Sequence, residues 1–208
     1  MRYIVLFLIV VLVPLPAFSQ LDKYLQKDPL PTIMNQWGVA FSVLEGGTGI
    51  GGFIEMPLKG LLAVPWGEFI HIGATADFFF IRDSREFQYS DGYNVYVFNR
   101  QNNVYMGDFL LTLRKRLFAD QLHDSFQPFI MVSAGGIYGI NFPEDKTRPR
   151  EQAFALTAAG AVGVNAVVDK VYLFGVRLQY RYINFGRRVG ETKDHSTLDL
   201  RLELGRRF

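Results

Sequence analysis

The stretch Ser196-Thr-Leu-Asp-Leu-Arg-Leu-Glu-Leu-Gly-Arg-Arg-Phe208 carries the pattern that decides the fold. Leucine occupies every second position from 198 to 204, and charged side chains fill the positions between: Asp199, Arg201 and Glu203. Because alternate side chains of a strand point to opposite faces, the segment has one apolar face and one charged face. We therefore predict a strand with an apolar environment on one face and a polar environment on the other. The rest of the sequence indicates which of the two faces lies inside the fold.

The N-terminal segment has the three parts of a secretory signal peptide. Arg2 supplies an early positive charge, and the apolar run Tyr3–Val13 follows it. Ala17-Phe18-Ser19 then places small residues before a cut at Gln20. The apolar run is shorter than the roughly 20 residues that a membrane-spanning helix needs. We predict a cleaved signal peptide at 1–19 and an exported mature chain.

Composition narrows the class of protein further. The 208 residues suffice for one domain, and the formal charge of +2 argues against a dedicated nucleic-acid binder, so no nucleic-acid partner is expected. The chain has no cysteine, which removes disulfides and thiolate metal sites. Aromatic residues make up 15% of the chain, and glycine is also abundant. Export, this composition and the lack of a second long apolar stretch together predict a β-rich protein that needs no cofactor.

Two-residue periodicity recurs along the chain and predicts eight strands, most of them ten or more residues long. The predicted strands are 36–43, 50–59, 68–81, 104–118, 127–140, 153–167, 171–185 and 196–208, with a glycine turn at 46–49. Strands of soluble domains average about five or six residues, whereas a tilted strand that spans a bilayer needs about nine to eleven. The strand lengths therefore favour a membrane protein.

The fold that fits these observations is all-β, an eight-stranded antiparallel up-and-down transmembrane β-barrel. In hydrocarbon every backbone group must be paired internally, so a spanning sheet has to close on itself. We predict a periplasmic N-terminal arm at 20–34 after the signal peptide, and a barrel domain at 35–208. With both ends of the mature chain in the periplasm, the long polar segments 82–103, 141–152 and 186–195 become extracellular loops.

The barrel predicts a different role for each face of its strands. An eight-stranded lumen is nearly filled by side chains, and a buried ion is costly unless it is paired. We predict a lumen charge network of four carboxylates and four arginines: Asp77, Asp108, Asp199, Glu203, Arg114, Arg177, Arg181 and Arg201. On the outer face, Leu198, Leu200, Leu202 and Leu204 should meet lipid. Aromatic girdles lie at membrane interfaces, which suits Trp37, Tyr105, Tyr182 and Phe208.

The C-terminal alternation resembles the signal by which the barrel-assembly machinery recognises outer-membrane proteins. Four positions match that signal, Leu200, Leu202, Leu204 and Phe208, while Arg206 stands at a normally apolar place. The segments 127–139 and 171–186 resemble strands of the small OmpA/OmpX-type barrels. This resemblance covers 35–208 and implies a bacterial outer-membrane location, with outer-membrane lipid and the assembly machinery as partners. The family includes anchors, adhesins, small pores and a few lipid-modifying enzymes.

No catalytic or metal-binding constellation emerges from the sequence. His195 and Ser196 suggest the pair of a lipid hydrolase, but adjacent residues on a strand point to opposite faces. A metal site needs several converging ligands, and three scattered histidines do not supply them.

The leading hypothesis is a non-enzymatic membrane anchor or surface-interaction protein. Loops on a rigid scaffold commonly carry recognition, so four aromatic residues of 82–103 are candidates for contact with an extracellular protein or glycan: Tyr89, Tyr93, Tyr96 and Phe98. The other interpretation of these residues is a hairpin that extends above the membrane. Alternative functions are a narrow pore for small solutes, a lipid-modifying enzyme, and a soluble periplasmic barrel that holds a lipophile inside.

Overall fold

A computed structural model of the chain describes residues 34–60, 69–119 and 121–208. The predicted signal peptide, 1–19, and all of the predicted arm except its last residue lie outside the described residues. Met34 and Asn35 lead directly into the first strand. No helix in the described ranges is long and apolar enough to cross a membrane.

The described residues are almost entirely β-structure. The strands are β1 Gln36–Leu44, β2 Gly47–Pro57, β3 Ile70–Ser90, β4 Val95–Arg116, β5 Phe126–Pro143, β6 Glu151–Val168, β7 Tyr172–Val189, β8 Thr192–Asp194 and β9 Thr197–Arg207. A 3₁₀ turn at Leu58–Gly60 follows β2.

The sheet closes into a barrel. From β1 to β7 each strand pairs antiparallel with the next, and β9 pairs with both β7 and β1. Eight strands, β1–β7 and β9, therefore form a closed up-and-down barrel, while the short β8 pairs only with β7. Closure leaves no free sheet edge around the wall, as a sheet in hydrocarbon requires. The predicted fold class is confirmed.

The outward and inward faces have the predicted sense. Leu198, Leu200, Leu202 and Leu204 point outward with 44–55% of their surface exposed, whereas Asp199 and Arg201 are fully buried inside. A barrel that stores a lipophile and turns its charges to water would need the opposite arrangement. We call the ring of outward leucine, isoleucine, valine and aromatic side chains the apolar belt.

The two ends of the barrel differ in their connections. The start of β1 and the end of β9 lie at one end, here called the terminal end, together with the β2–β3, β4–β5 and β6–β7 connections. The opposite end, the far end, carries the connections β1–β2, β3–β4, β5–β6 and β7–β9. The long polar segments of the sequence all lie at the far end.

The predicted turn at 46–49 is wrong. The turn consists of Glu45 and Gly46, and Gly46 has a φ of +75°, a backbone conformation that favours glycine. Gly47 already belongs to β2, and Cβ atoms at Gly47 and Gly49 would collide with β3 residues Phe80, Ile81 and Phe79. These glycines therefore make room for bulky neighbours within the barrel instead of bending the chain.

The polar segments predicted as loops are largely strands. In 82–103, β3 continues to Ser90 and β4 begins at Val95, so only 91–94 form the turn. The connection predicted at 141–152 shrinks to 144–150, and that at 186–195 contains the end of β7 and all of β8. A hairpin with water on both faces needs no apolar alternation, which explains why the sequence pattern did not reveal it.

Candidate functional site

Two arginines and two glutamates form the first of two ion clusters inside the barrel. Arg114 Nη2 lies 3.0 Å from Glu55 Oε1 and 3.0 Å from Glu203 Oε2. Arg177 Nη1 lies 3.1 Å from Glu203 Oε1, and Gln36 Nε2 donates to Glu55 Oε2 over 2.6 Å. All of these side chains are buried, so each charge depends on its partners in place of water.

Two arginines and three aspartates form the second ion cluster, one step toward the far end. Arg181 contacts Asp108 and lies 3.2 Å from Asp77 and 3.5 Å from Asp199. Arg201 Nη1 lies 2.5 Å from Asp77 Oδ2. Arg181 thus connects three strands, β3, β4 and β9, to its own strand β7.

The structure brings together all eight residues of the predicted lumen network. A contact of 3.4 Å between Arg201 Nε and Glu203 Oε1 joins the two clusters into what we call the ion layer. The prediction missed Glu55, which has the inward position of β2 and the same alternation as its neighbours. That alternation was the available signal, and the glycines earlier in β2 obscured it.

An apolar cluster fills much of the far half of the lumen. Its largest side chains are almost completely buried and belong to β3, β4, β5 and β7: Phe79, Met106, Ile137, Ile183 and Phe185. We call this cluster, which also includes Leu44, Val104, Ala153, Ala155 and Val189, the apolar layer. Sequence reasoning did not find it, because inward apolar residues break the simple rule of a polar interior.

The β7–β9 connection folds over the far end of the apolar layer. Gly190 N–H donates to Glu151 Oε2 over 2.7 Å, and Arg148 Nη2 lies 2.6 Å from Glu191 Oε1. His195 turns inward, where its Nε2 lies 2.8 Å from the carbonyl oxygen of Val189. Side chains of the described residues therefore occupy the lumen from the ion layer to the far rim.

His195 and Ser196 have different contacts with the ends of β7. The His195 ring packs edge-on against Phe185 at 5.6 Å. Ser196 Oγ instead accepts the backbone N–H of Ile183 over 3.1 Å. Both residues lie between β8 and β9, so strand alternation does not set their orientation. Among the described residues, no group of three or more His, Asp or Glu side chains could hold a metal ion.

The last residues of the chain are tied to the barrel at the terminal end. Asp124, in the β4–β5 connection, lies 2.6 Å from Arg116 and 2.9 Å from Arg207. Phe208 N–H donates to the carbonyl oxygen of Asn35 over 3.0 Å. The residues of the predicted assembly signal, Leu200, Leu202, Leu204 and Phe208, all lie exposed on the outer wall, and their role stays a prediction.

The β3–β4 hairpin projects beyond the rest of the far end. Pairing of β3 with β2 ends at Ile81, and pairing of β4 with β5 ends at Asn102. From there to the turn, the two arms pair only with each other among the described residues. At about 3.3 Å per residue, the seven to nine residues of the two arms reach roughly 25 Å past the rim.

Three of the four predicted contact residues lie near the tip of this hairpin. Tyr89 and Tyr96 are cross-strand partners with ring centroids 6.4 Å apart, and Tyr93 in the turn is 96% exposed. The side chain of Phe98 lies outside the described residues, although its backbone pairs with Phe87. The tyrosines thus lie on a two-stranded hairpin, which is the second of the two interpretations that the sequence offered for them.

Asp91 organises the hairpin turn. Its Oδ1 accepts the backbone N–H groups of Asn94 over 2.8 Å and Tyr93 over 2.9 Å, and the Tyr96 hydroxyl lies 3.3 Å from Oδ2. These hydrogen bonds, that of Asn94 foremost, lower the pKa of Asp91 below its usual value because they favour the charged carboxylate.

Comparison with known proteins supports the fold. No protein-family model and no curated protein matches the chain. The N-terminal β-barrel domain of OprF from Pseudomonas aeruginosa matches with a TM-score of 0.51 and 11% identity, over 85% of this chain and 98% of that one. Neisserial surface protein A matches with a TM-score of 0.50 and 10% identity, over 84% and 95%. The predicted resemblance to small eight-stranded outer-membrane barrels is thus confirmed for the fold.

Proposed function

We propose that this barrel lies in the bacterial outer membrane and presents the β3–β4 hairpin to an extracellular partner. The observation that carries the proposal is the hairpin itself, a two-stranded arm that ends in exposed tyrosines above a filled barrel. Tyrosine offers large contact area at a low entropic cost, which makes it a frequent residue of binding surfaces.

The outer-membrane location rests on the apolar belt. Outward positions of every barrel strand carry exposed large apolar side chains, such as Phe41, Ile54, Phe109, Leu156 and Val176. Soluble monomers seldom expose continuous apolar surface of this extent, whereas lipid-facing strands require it. The far end then faces outside and the terminal end faces the periplasm.

A protein partner fits the hairpin better than a glycan does. The outer backbone edges of both arms, from residue 83 to 90 and from 95 to 100, have no strand partner among the described residues. Such edges can accept an extended segment of another protein as an added strand, with pockets between side chains giving specificity. Glycan binding would use the tyrosine rings and leave the edges unused.

The filled lumen favours a binding role over a pore. The ion layer and the apolar layer lie in series, so a solute would have to displace paired arginines and then enter hydrocarbon. We expect reconstituted protein to show no stable conductance, and steady single-channel currents would contradict this part of the proposal.

Orientation and binding can be tested in whole cells. Because the chain has no cysteine, Tyr93→Cys introduces a single thiol, which should react with a membrane-impermeant maleimide on intact cells. Cells that express the protein should also bind to some member of an array of immobilised extracellular proteins, and the triple variant Tyr89→Ser, Tyr93→Ser, Tyr96→Ser should abolish that binding.

The matched control changes exposed residues of the other far-end connections, Lys146→Ser and Lys193→Ser, and should leave binding intact. A boiling-dependent shift on a detergent gel verifies that each variant is folded. Failure of the maleimide to label the folded Tyr93→Cys variant on intact cells would overturn the orientation. Equal binding by wild-type and triple-variant cells would overturn the assignment of the hairpin.

A further inference from the structure

We propose that a groove on the outer wall binds a lipid with a phosphate headgroup, holding an acyl chain between aromatic residues and the headgroup at Arg150. The proposal rests on the membrane location proposed above, but it concerns a different surface from the hairpin tip. It assigns a specific lipid site within a belt that otherwise contacts bulk lipid.

The groove crosses β3, β4 and β5 near the far end. It has a volume of about 460 Å³ and is lined by Phe78, Asn103, Tyr105, Ile140 and Phe142. Ligand pockets typically have roughly 300–1,000 Å³, so the groove can hold part of an acyl chain. Four of its five lining residues have apolar or aromatic side chains, which suits the hydrocarbon of an acyl chain.

Contacts between its aromatic side chains hold the groove in shape. The Tyr105 ring lies 5.6 Å from Phe142 in an edge-on arrangement and 5.1 Å from Phe80. Gly107 is the next outward position of β4 after Tyr105 and pairs with Phe78, so the wall has no side chain there. A fixed recess of this kind loses little entropy when a chain enters it.

The apolar and polar ends of the groove are arranged like those of a lipid molecule. Phe78 lies nearest the membrane centre, Ile140 lies one outward position closer to the far end, and Asn103 and Phe142 lie two positions closer. The guanidinium carbon of the exposed Arg150 lies 4.9 Å above the Phe142 ring. Cation–π contact thus holds a planar group with five donors at the polar mouth, where it can bind a phosphate.

Charge and shape together select one occupant. A zwitterionic lipid could fill the apolar part of the groove but would bring a cation near Arg150. A free phosphate could contact Arg150 but would leave the aromatic walls empty. A phosphate-bearing lipid without a compensating cation uses both features.

The test measures lipid binding to the folded full chain in a neutral detergent by native mass spectrometry. Phosphatidylglycerol and phosphatidylcholine with the same acyl chains are the two probes, and inorganic phosphate is the competitor. We expect tighter binding of phosphatidylglycerol, with a dissociation constant that Arg150→Gln raises about fivefold, as loss of a charge contact of roughly 1 kcal/mol gives. The same variant should leave phosphatidylcholine binding unchanged.

Gly107→Leu tests the apolar part of the groove. A Cβ at this position would meet only the Asp77 carbonyl oxygen at 4.0 Å, so the barrel tolerates it, while a leucine side chain would cover Phe78 and Tyr105. Binding of both lipids should weaken. The control Lys146→Gln changes an exposed cation in the same connection as Arg150 and should have no effect.

Equal affinity for the two lipids, with no effect of Arg150→Gln, would overturn the proposal and leave only bulk lipid contact. Displacement of phosphatidylglycerol by inorganic phosphate, with no effect of Gly107→Leu, would also overturn it in favour of a simple anion site. Because folding is verified separately by the boiling-dependent gel shift, a negative result here leaves the hairpin assays unaffected.

Discussion

The ion layer and the apolar layer fill the same lumen by different means. In the ion layer, the single side chain of Arg181 contacts three carboxylates, Asp77, Asp108 and Asp199, and each contact depends on donor and acceptor geometry. In the apolar layer, Phe79, Met106 and Ile137 fill space without directional bonds. A buried ion layer adds little net stability compared with apolar packing, but it tolerates far less change. The barrel thus combines a layer that specifies geometry with a layer that contributes burial.

The largest effect should come from removing one ion-layer partner. Arg181→Leu leaves three aspartates with less compensating charge, and we expect a loss of about 3–5 kcal/mol in the free energy of unfolding. Urea titration of the folded band on a detergent gel measures this loss. Arg187→Leu, on an exposed position of the same strand, is the matched control and should change little.

A double replacement sharpens that result. If the loss comes from uncompensated charge, Arg181→Leu combined with Asp108→Leu should be less destabilising than the sum of the two single changes. Strict additivity would show that the ion layer stabilises through independent contacts, and it would erase the proposed contrast with the apolar layer.

A somewhat smaller effect is expected in the apolar layer. Met106→Ala removes a buried side chain and leaves a cavity, which should cost about 2–4 kcal/mol in the same titration. Met106→Leu nearly conserves the volume and should cost less than about 1.5 kcal/mol. If Met106→Leu cost as much stability as Met106→Ala, the apolar layer would depend on side-chain geometry as strongly as the ion layer does.

The smallest effect is expected in water, at the hairpin turn. Because backbone hydrogen bonds lower the pKa of Asp91, its contribution to turn order should be fully present above the usual pKa of aspartate, about 3.9, and be lost only as pH falls through the lower folded value. The amide NMR shifts of Tyr93 and Asn94 should titrate below about pH 3.9 and stop titrating in Asp91→Asn. A midpoint at or above about 3.9 would contradict the assignment.

The ion layer was largely predictable from the sequence, whereas the apolar layer was not. Asp199, Arg201 and Glu203 alternate with leucine and so share one face, which the interpretation as a membrane barrel turns inward. Phe79 stands between Phe78 and Phe80, so no alternation distinguishes the inward ring from the outward ones. Gly47 and Gly49 have the composition of a turn, although their role is to admit neighbouring side chains.

The hairpin was located by its polar composition, and an extension of the strands above the membrane was one of the two interpretations of its tyrosines. Tyr89 and Tyr96 face each other across two strands, and only their register reveals this. The outer groove was out of reach for a similar reason. Phe78, Tyr105 and Phe142 are far apart in the chain, and cross-strand register decides that they share one recess.

The ion layer joins residues that are far apart in the chain, and it therefore favours the correct strand alignment when the barrel closes. Glu203 is 89 residues from Arg114, and Asp77 is 104 residues from Arg181, so the contacts form only when distant strands have met. If β9 slipped by one residue against β1, Asp199, Arg201 and Glu203 would all turn into hydrocarbon. Each Arg exposed there at the membrane midplane costs about 2–4 kcal/mol, and each carboxylate somewhat less. A misaligned β1–β9 pair would therefore separate more readily than the correct pair. Repeated rounds of pairing and separation would then favour the native alignment.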